Sequence, residues 1–108
     1  MRLQRSIPLL LLLITVPVAQ AATTDKDEPG KQLFMKGTTP PCGICHTLQD
    51  AGTSGAVAPS LDELKPDAER VTKAMKNGIG QMPAYSTLTE QEIRAIAQYV
   101  ARATGAAK

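Results

Sequence analysis

The sequence is poor in the large side chains that usually fill a protein core. Its 108 residues include no tryptophan, one phenylalanine (Phe34) and two tyrosines (Tyr85 and Tyr99), so aromatic residues make up only 3% of the chain. The length allows one small domain and excludes two. Because a domain of this size with so few large side chains rarely builds a sufficient core alone, we expect a group other than protein to complete its centre.

The sequence also lacks a net positive charge beyond its first 21 residues. The formal net charge is +2, but Arg2 and Arg5 lie in a predicted leader, and the remaining ten basic side chains balance ten acidic ones. Nucleic-acid binding depends on clustered cationic side chains. The balanced charge therefore argues against a nucleic-acid-binding protein.

Residues 1–21 have the pattern of a secretory signal. Two early arginines precede an apolar run of twelve residues over 7–18, and Ala19-Gln20-Ala21 supplies a small-x-small cleavage site. The run is shorter than the roughly 20 apolar residues that a spanning helix needs, and it contains two prolines. We expect cleavage after Ala21 and a periplasmic mature domain, residues 22–108, without stable membrane insertion.

The hydrophobic periodicity predicts helices and no strand of useful length. Apolar residues recur at helical spacing over residues 67–77 and again after Thr89, where Thr89 and Glu92 form a capping-box pattern. A short helix is expected over residues 31–36, and one brief turn after a second capping-box pattern at Ser60. The prediction is an all-α domain of three to four helices.

Two long segments, residues 38–59 and 78–87, have no helical or strand pattern. Long loops without secondary structure are uncommon in a compact domain. They become understandable if they pack on a bound group. We therefore expect the helices and loops to surround one cofactor.

The segment Cys42-Gly43-Ile44-Cys45-His46 carries the chemistry of the sequence. C-x-x-C-H is typical of c-type haem attachment. Two thiols three positions apart can each add to one of the two haem vinyl groups, and the adjacent histidine can offer an imidazole nitrogen to the iron. The motif predicts one haem c, covalently bound through Cys42 and Cys45, with His46 as an axial ligand.

The motif has three other interpretations. A disulfide or thioredoxin-like redox pair would be expected in a βαβ context, which the sequence lacks. A tetrahedral zinc site needs four ligands, and two cysteines and one histidine fall one short. The histidine could also be a plain surface residue beside an unrelated cysteine pair. A disulfide-stapled interaction module remains the non-haem alternative.

Met82 is the predicted second axial ligand, and so the second iron ligand after His46. The chain has no second histidine, and its methionines beyond the leader are Met35, Met75 and Met82. Met75 lies on an apolar helical stripe and is expected in the core, whereas Met35 is too close to the haem motif to reach the opposite face. Met82 lies in a loop before Pro83, which favours an extended backbone suited to presenting a side chain.

Histidine and methionine ligation is typical of an electron carrier. The predicted function is one-electron transfer with no catalytic residue, so the protein is not expected to be an enzyme. The alternative is a haem-based sensor or minor peroxidase, in which the sixth position is open or labile and Met82 is not firmly bound. No acid–base group next to Met82 stands out in the sequence.

The residues beyond the leader resemble class I c-type cytochromes over essentially their whole length. The residues that carry the resemblance are Gly30, Phe34, the CGICH motif at 42–46, Ala58-Pro59-Ser60-Leu61, Met82-Pro83 and Tyr99. The resemblance implies that the first and last helices cross closely at Gly30, with Phe34 and Tyr99 nearby. It also implies that the Pro59 carbonyl accepts a hydrogen bond from His46, which would fix the imidazole.

The sequence over residues 46–85 also resembles the cytochrome subunit or partner of bacterial sulfite dehydrogenases. This resemblance implies a molybdenum sulfite dehydrogenase as electron donor, and a cytochrome or terminal oxidase of the respiratory chain as acceptor. Haem-attachment machinery would act during maturation. Ile44, Ile79, Pro83 and Ala84 are expected to form a small apolar docking patch, since redox encounters use small interfaces.

Overall fold

The computed structural model describes residues 13–15 and 26–108 of the chain. Apart from residues 13–15, the predicted leader and its cleavage site lie outside the described residues. Within these two ranges, no helix is both long enough and apolar enough to span a bilayer.

The described part of the chain is mostly helical, which confirms the predicted fold class. Its helices are α1 (Glu28–Lys36), α2 (Cys42–Cys45), α3 (Leu61–Leu64), α4 (Ala68–Asn77) and α5 (Glu90–Ala103). A small antiparallel hairpin, β1 (Thr47–Leu48) and β2 (Thr53–Ser54), encloses a 3-10 turn at Gln49–Ala51. The helix count exceeds the expected three to four because the haem motif itself forms a single helical turn. The hairpin replaces part of a predicted loop.

The predicted starts of the two longer helices are confirmed by their caps. The Asp67 carboxylate accepts a hydrogen bond from the backbone N–H of Arg70 at 2.8 Å at the start of α4. At α5, Thr89 Oγ1 accepts from the Glu92 N–H, and the Glu92 carboxylate accepts from the Thr89 N–H. These bonds satisfy backbone donors that have no partner inside the helix.

Two local predictions were wrong. Helix α1 begins three residues earlier than expected, at Glu28, because a proline is readily accommodated in the first turn of a helix. Ser60 precedes α3, but its side chain makes no capping bond. Instead, the Asp62 carboxylate in this turn accepts a hydrogen bond from the backbone N–H of Gln49 at 2.8 Å.

Helices α1 and α5 cross at very short range at Gly30. A Cβ atom on Gly30 would lie 2.3 Å from the Ala95 carbonyl oxygen and 2.6 Å from Tyr99 Cβ. Next to the crossing, the Phe34 and Tyr99 rings meet edge to face, with centroids 6.0 Å apart and planes at 70°. Both features confirm the packing that the class I resemblance implies.

The hydrophobic core lies between α1, α4 and α5. Its largest fully buried side chains are Phe34, Leu48, Met75, Ile96, Tyr99 and Val100. Since α5 supplies half of this set, the helix with the clearest sequence periodicity is also the main wall of the core.

Polar contacts tie the ends of the domain together. Tyr99 Oη donates a hydrogen bond to the Asp50 carboxylate at 2.6 Å, and Lys31 Nζ lies 3.6 Å from the same carboxylate. Burial, and then the bond to Asp50, raise the pKa of Tyr99. Arg102 forms an ion pair with Asp27. These contacts join α1, the 3-10 turn and α5.

Candidate haem site

The four residues predicted to hold the cofactor line one cavity. The cavity has a volume of about 990 Å³, and Cys42, Cys45, His46 and Met82 all contribute to its wall. The structure therefore brings together residues that are as much as 40 positions apart in the chain.

The haem motif folds as one helical turn that presents both thiols. Helix α2 follows an extended Pro41, and the His46 N–H closes the turn on the Cys42 carbonyl at 3.0 Å. Cys42 and Cys45 are half-buried, and no disulfide joins them. Burial raises the pKa of Cys42, whereas reactive redox cysteines have a lowered pKa. This environment disfavours the thioredoxin-like interpretation.

His46 is held by a backbone carbonyl. Its Nδ1 atom lies 2.8 Å from the Pro59 oxygen. Because a carbonyl can only accept, Nδ1 carries the hydrogen and donates it, which leaves the lone pair of Nε2 available to a metal. The hydrogen bond expected from the class I resemblance is therefore present.

The segment after the motif returns and packs tightly against it. Thr53 Oγ1 donates to the His46 carbonyl at 3.0 Å, and the Ala58 N–H donates to the Cys45 carbonyl at 3.0 Å. A Cβ atom on Gly55 would lie 2.4 Å from the Ile44 carbonyl oxygen. We call residues 53–59 the return segment; it carries Pro59 to His46.

The hydrophobic pattern of the sequence does not indicate this return segment, but two glycines do. Gly43 and Gly55 each sit where a side chain would collide with the neighbouring segment: a Cβ on Gly43 would lie 2.3 Å from Thr53 Cγ2. Glycine is the residue that permits such close backbone approach. One glycine lies inside the motif and the other in the return segment, so each segment has a position at which the other can approach closely.

Met82 lies in a closed loop that follows α4. The Ile79 N–H donates to the Met82 carbonyl at 3.0 Å, and the Met82 N–H donates to the Ile79 carbonyl at 2.9 Å. Gly78 begins the loop with a positive φ of 70°. The half-buried Met82 side chain reaches the cavity wall from this loop.

The other two methionines lie where the sequence placed them. Met75 is 1% exposed and belongs to the core, although it also contributes to the cavity wall. Met35 is 43% exposed. Met82 is thus the methionine that combines a loop position with a place on the cavity.

Tyr85 is a site residue that the sequence analysis did not predict. It is buried, lines the cavity, and donates from Oη to the Pro40 carbonyl at 3.0 Å. Its backbone N–H donates to the Met75 carbonyl at 2.8 Å. Burial raises its pKa to about 12. Its position could have indicated a role in the site, because the chain has only three aromatic residues and Tyr85 lies three positions after Met82.

Charged and apolar side chains surround the cavity. Glu69 and Arg70, which lie 13 and 12 positions before Met82 in the chain, contribute to its lining. Both are exposed, and Glu69 is paired with Lys73 at 2.8 Å. Val57 and Ile79, which also line the cavity, are 67% and 70% exposed.

The residues of the cavity fit a haem better than a bare metal ion. The thiols of α2 and the free Nε2 of His46 lie on a wall that is otherwise largely apolar, and Met82 adds a thioether. In residues 13–15 and 26–108, no three His, Cys, Asp or Glu side chains cluster as a metal site would require. The donor set matches a porphyrin held by two thioether bonds.

Comparison with known proteins agrees with this site. A family model described as "Cytochrome C oxidase, cbb3-type, subunit III" matches residues 25–100. Cytochrome c-551 from Halorhodospira halochloris is 32% identical over 78 residues, which cover 66% of this chain and 92% of that protein. The crystal structure of the c-type cytochrome SorU from Sinorhizobium meliloti is similar, with a TM-score of 0.72 and 53% identity, covering 75% of this chain and 93% of SorU. With the motif, the cavity and these matches in agreement, the chain belongs to this cytochrome c family: it is a class I c-type cytochrome, an electron-transfer protein with covalently bound haem c rather than an enzyme.

Proposed function

We propose that this cytochrome is a periplasmic one-electron carrier whose haem iron is ligated by His46 and Met82. The observation that carries the proposal is that both side chains line the cavity that also holds the two thiols. When bound there, haem supplies reversible one-electron chemistry between the ferric and ferrous states.

The protein residues fix and shield this centre. The Pro59 carbonyl orients His46 and makes its Nε2 a stronger donor. Met82 offers a sulfur ligand, which favours a relatively high reduction potential. The apolar lining, which includes Phe34 and Met75, excludes water that would stabilise the more highly charged ferric state. These effects together favour a carrier that accepts electrons readily.

Optical and magnetic spectra of the ferric protein test the ligand assignment. We expect a low-spin signal and a weak sulfur-to-iron charge-transfer band in the wild type, and we expect Met82→Ala to abolish the band. Met35→Ala is the matched control, because Met35 is exposed and does not contribute to the cavity wall. A high-spin wild type would support the sensor or peroxidase alternative instead.

A sulfite dehydrogenase is the proposed electron donor, and a cytochrome or terminal oxidase of the respiratory chain the proposed acceptor. The support is the sequence resemblance over residues 46–85 and the exposed apolar side chains beside the cavity, since redox partners meet over small surfaces. Mixing the oxidised protein with sulfite and a molybdenum sulfite dehydrogenase should reduce its haem. Reduction no faster than with sulfite alone would refute this donor.

The location is proposed from the leader over residues 1–21. Export before haem attachment places maturation in the periplasm, where the haem-attachment machinery would act on Cys42 and Cys45. Mass spectrometry of periplasmic material should find a chain that begins at Ala22 and carries one haem. A chain that retains the leader would contradict the proposed processing.

A further inference from the structure

Tyr85 links the Met82 loop to the wall that carries the thiols. Its hydroxyl donates to the carbonyl of Pro40, which is 45 positions away in the chain and two positions before Cys42. Its backbone N–H donates to the Met75 carbonyl of α4. A single buried residue therefore joins three parts of the cavity wall.

The loop between α4 and Tyr85 has little freedom of its own. Its start is fixed where the Gly78 N–H donates to the Ala74 carbonyl at 2.8 Å, and its middle is closed by the two bonds between Ile79 and Met82. Its end is fixed at Tyr85. Movement of the Met82 backbone away from the cavity therefore requires either opening the Ile79–Met82 pair or releasing Tyr85.

We propose that Tyr85 is a positioning residue that keeps Met82 directed into the cavity and thereby limits access of external ligands to the sixth coordination position. The inference rests on the proposed ligation by His46 and Met82. It extends that proposal by naming the contact that decides how firmly the sixth position is closed.

The hydroxyl can be removed without leaving a buried acceptor unpaired. The Pro40 carbonyl also accepts a hydrogen bond from Thr38 Oγ1 at 3.0 Å. Tyr85→Phe should therefore retain the fold and the aromatic packing while losing one bond between the loop and the opposite segment. The net strength of such a bond corresponds to a change of about 2- to 10-fold in an equilibrium.

The test is an imidazole titration of the ferric holoprotein, followed optically. We expect Tyr85→Phe to bind imidazole about 2- to 10-fold more tightly than the wild type. Tyr99→Phe is the matched control, because it also removes a hydroxyl from a buried tyrosine. The Tyr99 hydroxyl donates to Asp50 and makes no bond to the cavity wall. The control should bind imidazole with wild-type affinity.

Amide hydrogen exchange provides a readout that does not depend on the iron. Exchange of the Met82 and Ile79 amides should be faster in Tyr85→Phe and unchanged in Tyr99→Phe, measured where both variants are fully folded. Wild-type affinity and exchange in Tyr85→Phe would overturn the inference, and so would equal increases in both variants, which indicate general destabilisation.

The two proposals fail in different ways. If the wild type lacks the sulfur-to-iron band, ligation by Met82 is refuted whatever the imidazole result, and control of the sixth position by Tyr85 falls with it. If the band is present and Tyr85→Phe behaves as the wild type, ligation stands and only the positioning role of Tyr85 is refuted.

Discussion

Gly55 offers a sharp test of how the return segment positions His46. A Cβ atom at this position would lie 2.4 Å from the Ile44 carbonyl oxygen and 2.6 Å from the carbonyl carbons of Ile44 and Cys45. All three are backbone atoms, so no rotamer change relieves the collision. To reach the ordinary contact distance of 3.4 Å, the two segments must separate by about 1 Å.

A shift of this size affects both stability and the histidine. Overpacking costs about 1–3 kcal/mol, and weakening the hydrogen bonds between the segments adds about 0.5–1.5 kcal/mol for each bond lost. We expect Gly55→Ala to lower the free energy of unfolding by about 2–4 kcal/mol. The bond between His46 and Pro59 is among those at risk, so the histidine should also lose its fixed orientation.

Two measurements on the holoprotein separate these effects: urea unfolding, and the magnetic resonance spectrum that reports on the axial histidine. Gly52→Ala is the matched control, because Gly52 lies three positions before Gly55, at a φ of 68° and with nothing within 4 Å of its Cβ position. Its backbone strain should cost about 1–2 kcal/mol without altering the histidine signal. A wild-type histidine signal in Gly55→Ala would refute the positioning by the return segment.

Three further predictions concern the crossing of α1 and α5, the loss of stability at alkaline pH, and partner docking. Gly30→Ala should destabilise the protein by about 1–2 kcal/mol in urea unfolding, because the collision with the Ala95 carbonyl outweighs the gain in helix propensity of about 1 kcal/mol; equal stability would contradict the crossing geometry. Because the folded-state pKa of Tyr99 is raised above its unfolded value of about 10, its stabilising effect is complete below about pH 10 and declines at higher pH. The stability difference between the wild type and Tyr99→Phe should therefore be constant from about pH 8 to about pH 10 and narrow above about pH 10. A difference that also stays constant above about pH 10 would show that Tyr99 does not titrate as its burial requires. Ile79→Lys should slow reduction by the physiological partner in stopped-flow kinetics, since Ile79 is exposed beside the cavity; unchanged rates would remove this loop from the docking surface.

Local signals predicted the starts of α4 and α5 and the haem motif. Asp67 and the Thr89–Glu92 pair cap their helices as their spacing indicates, because capping depends on residues only three positions apart. The spacing of Cys42, Cys45 and His46 likewise indicates haem attachment without information from the rest of the chain. These features could be predicted because every interacting group lies within one turn of the chain.

The features that the sequence did not predict depend on distant contacts. The hairpin strands have two residues each, too few for an alternating pattern. Asp62 bonds to Gln49, and Tyr85 to Pro40, across 13 and 45 positions. Such contacts form only when the fold brings the segments together, so residue types and periodicity alone could not show them.

The most direct test of the central claim is the identity of the methionine bound to iron. Met75 and Met82 both line the cavity, whereas Met35 is exposed. NMR of the reduced protein with labelled methionine methyl groups should show one resonance strongly displaced by the porphyrin ring current, and this resonance should vanish in Met82→Leu. A displaced resonance that persists in Met82→Leu and is lost in Met75→Leu, or no displaced resonance at all, would contradict the account.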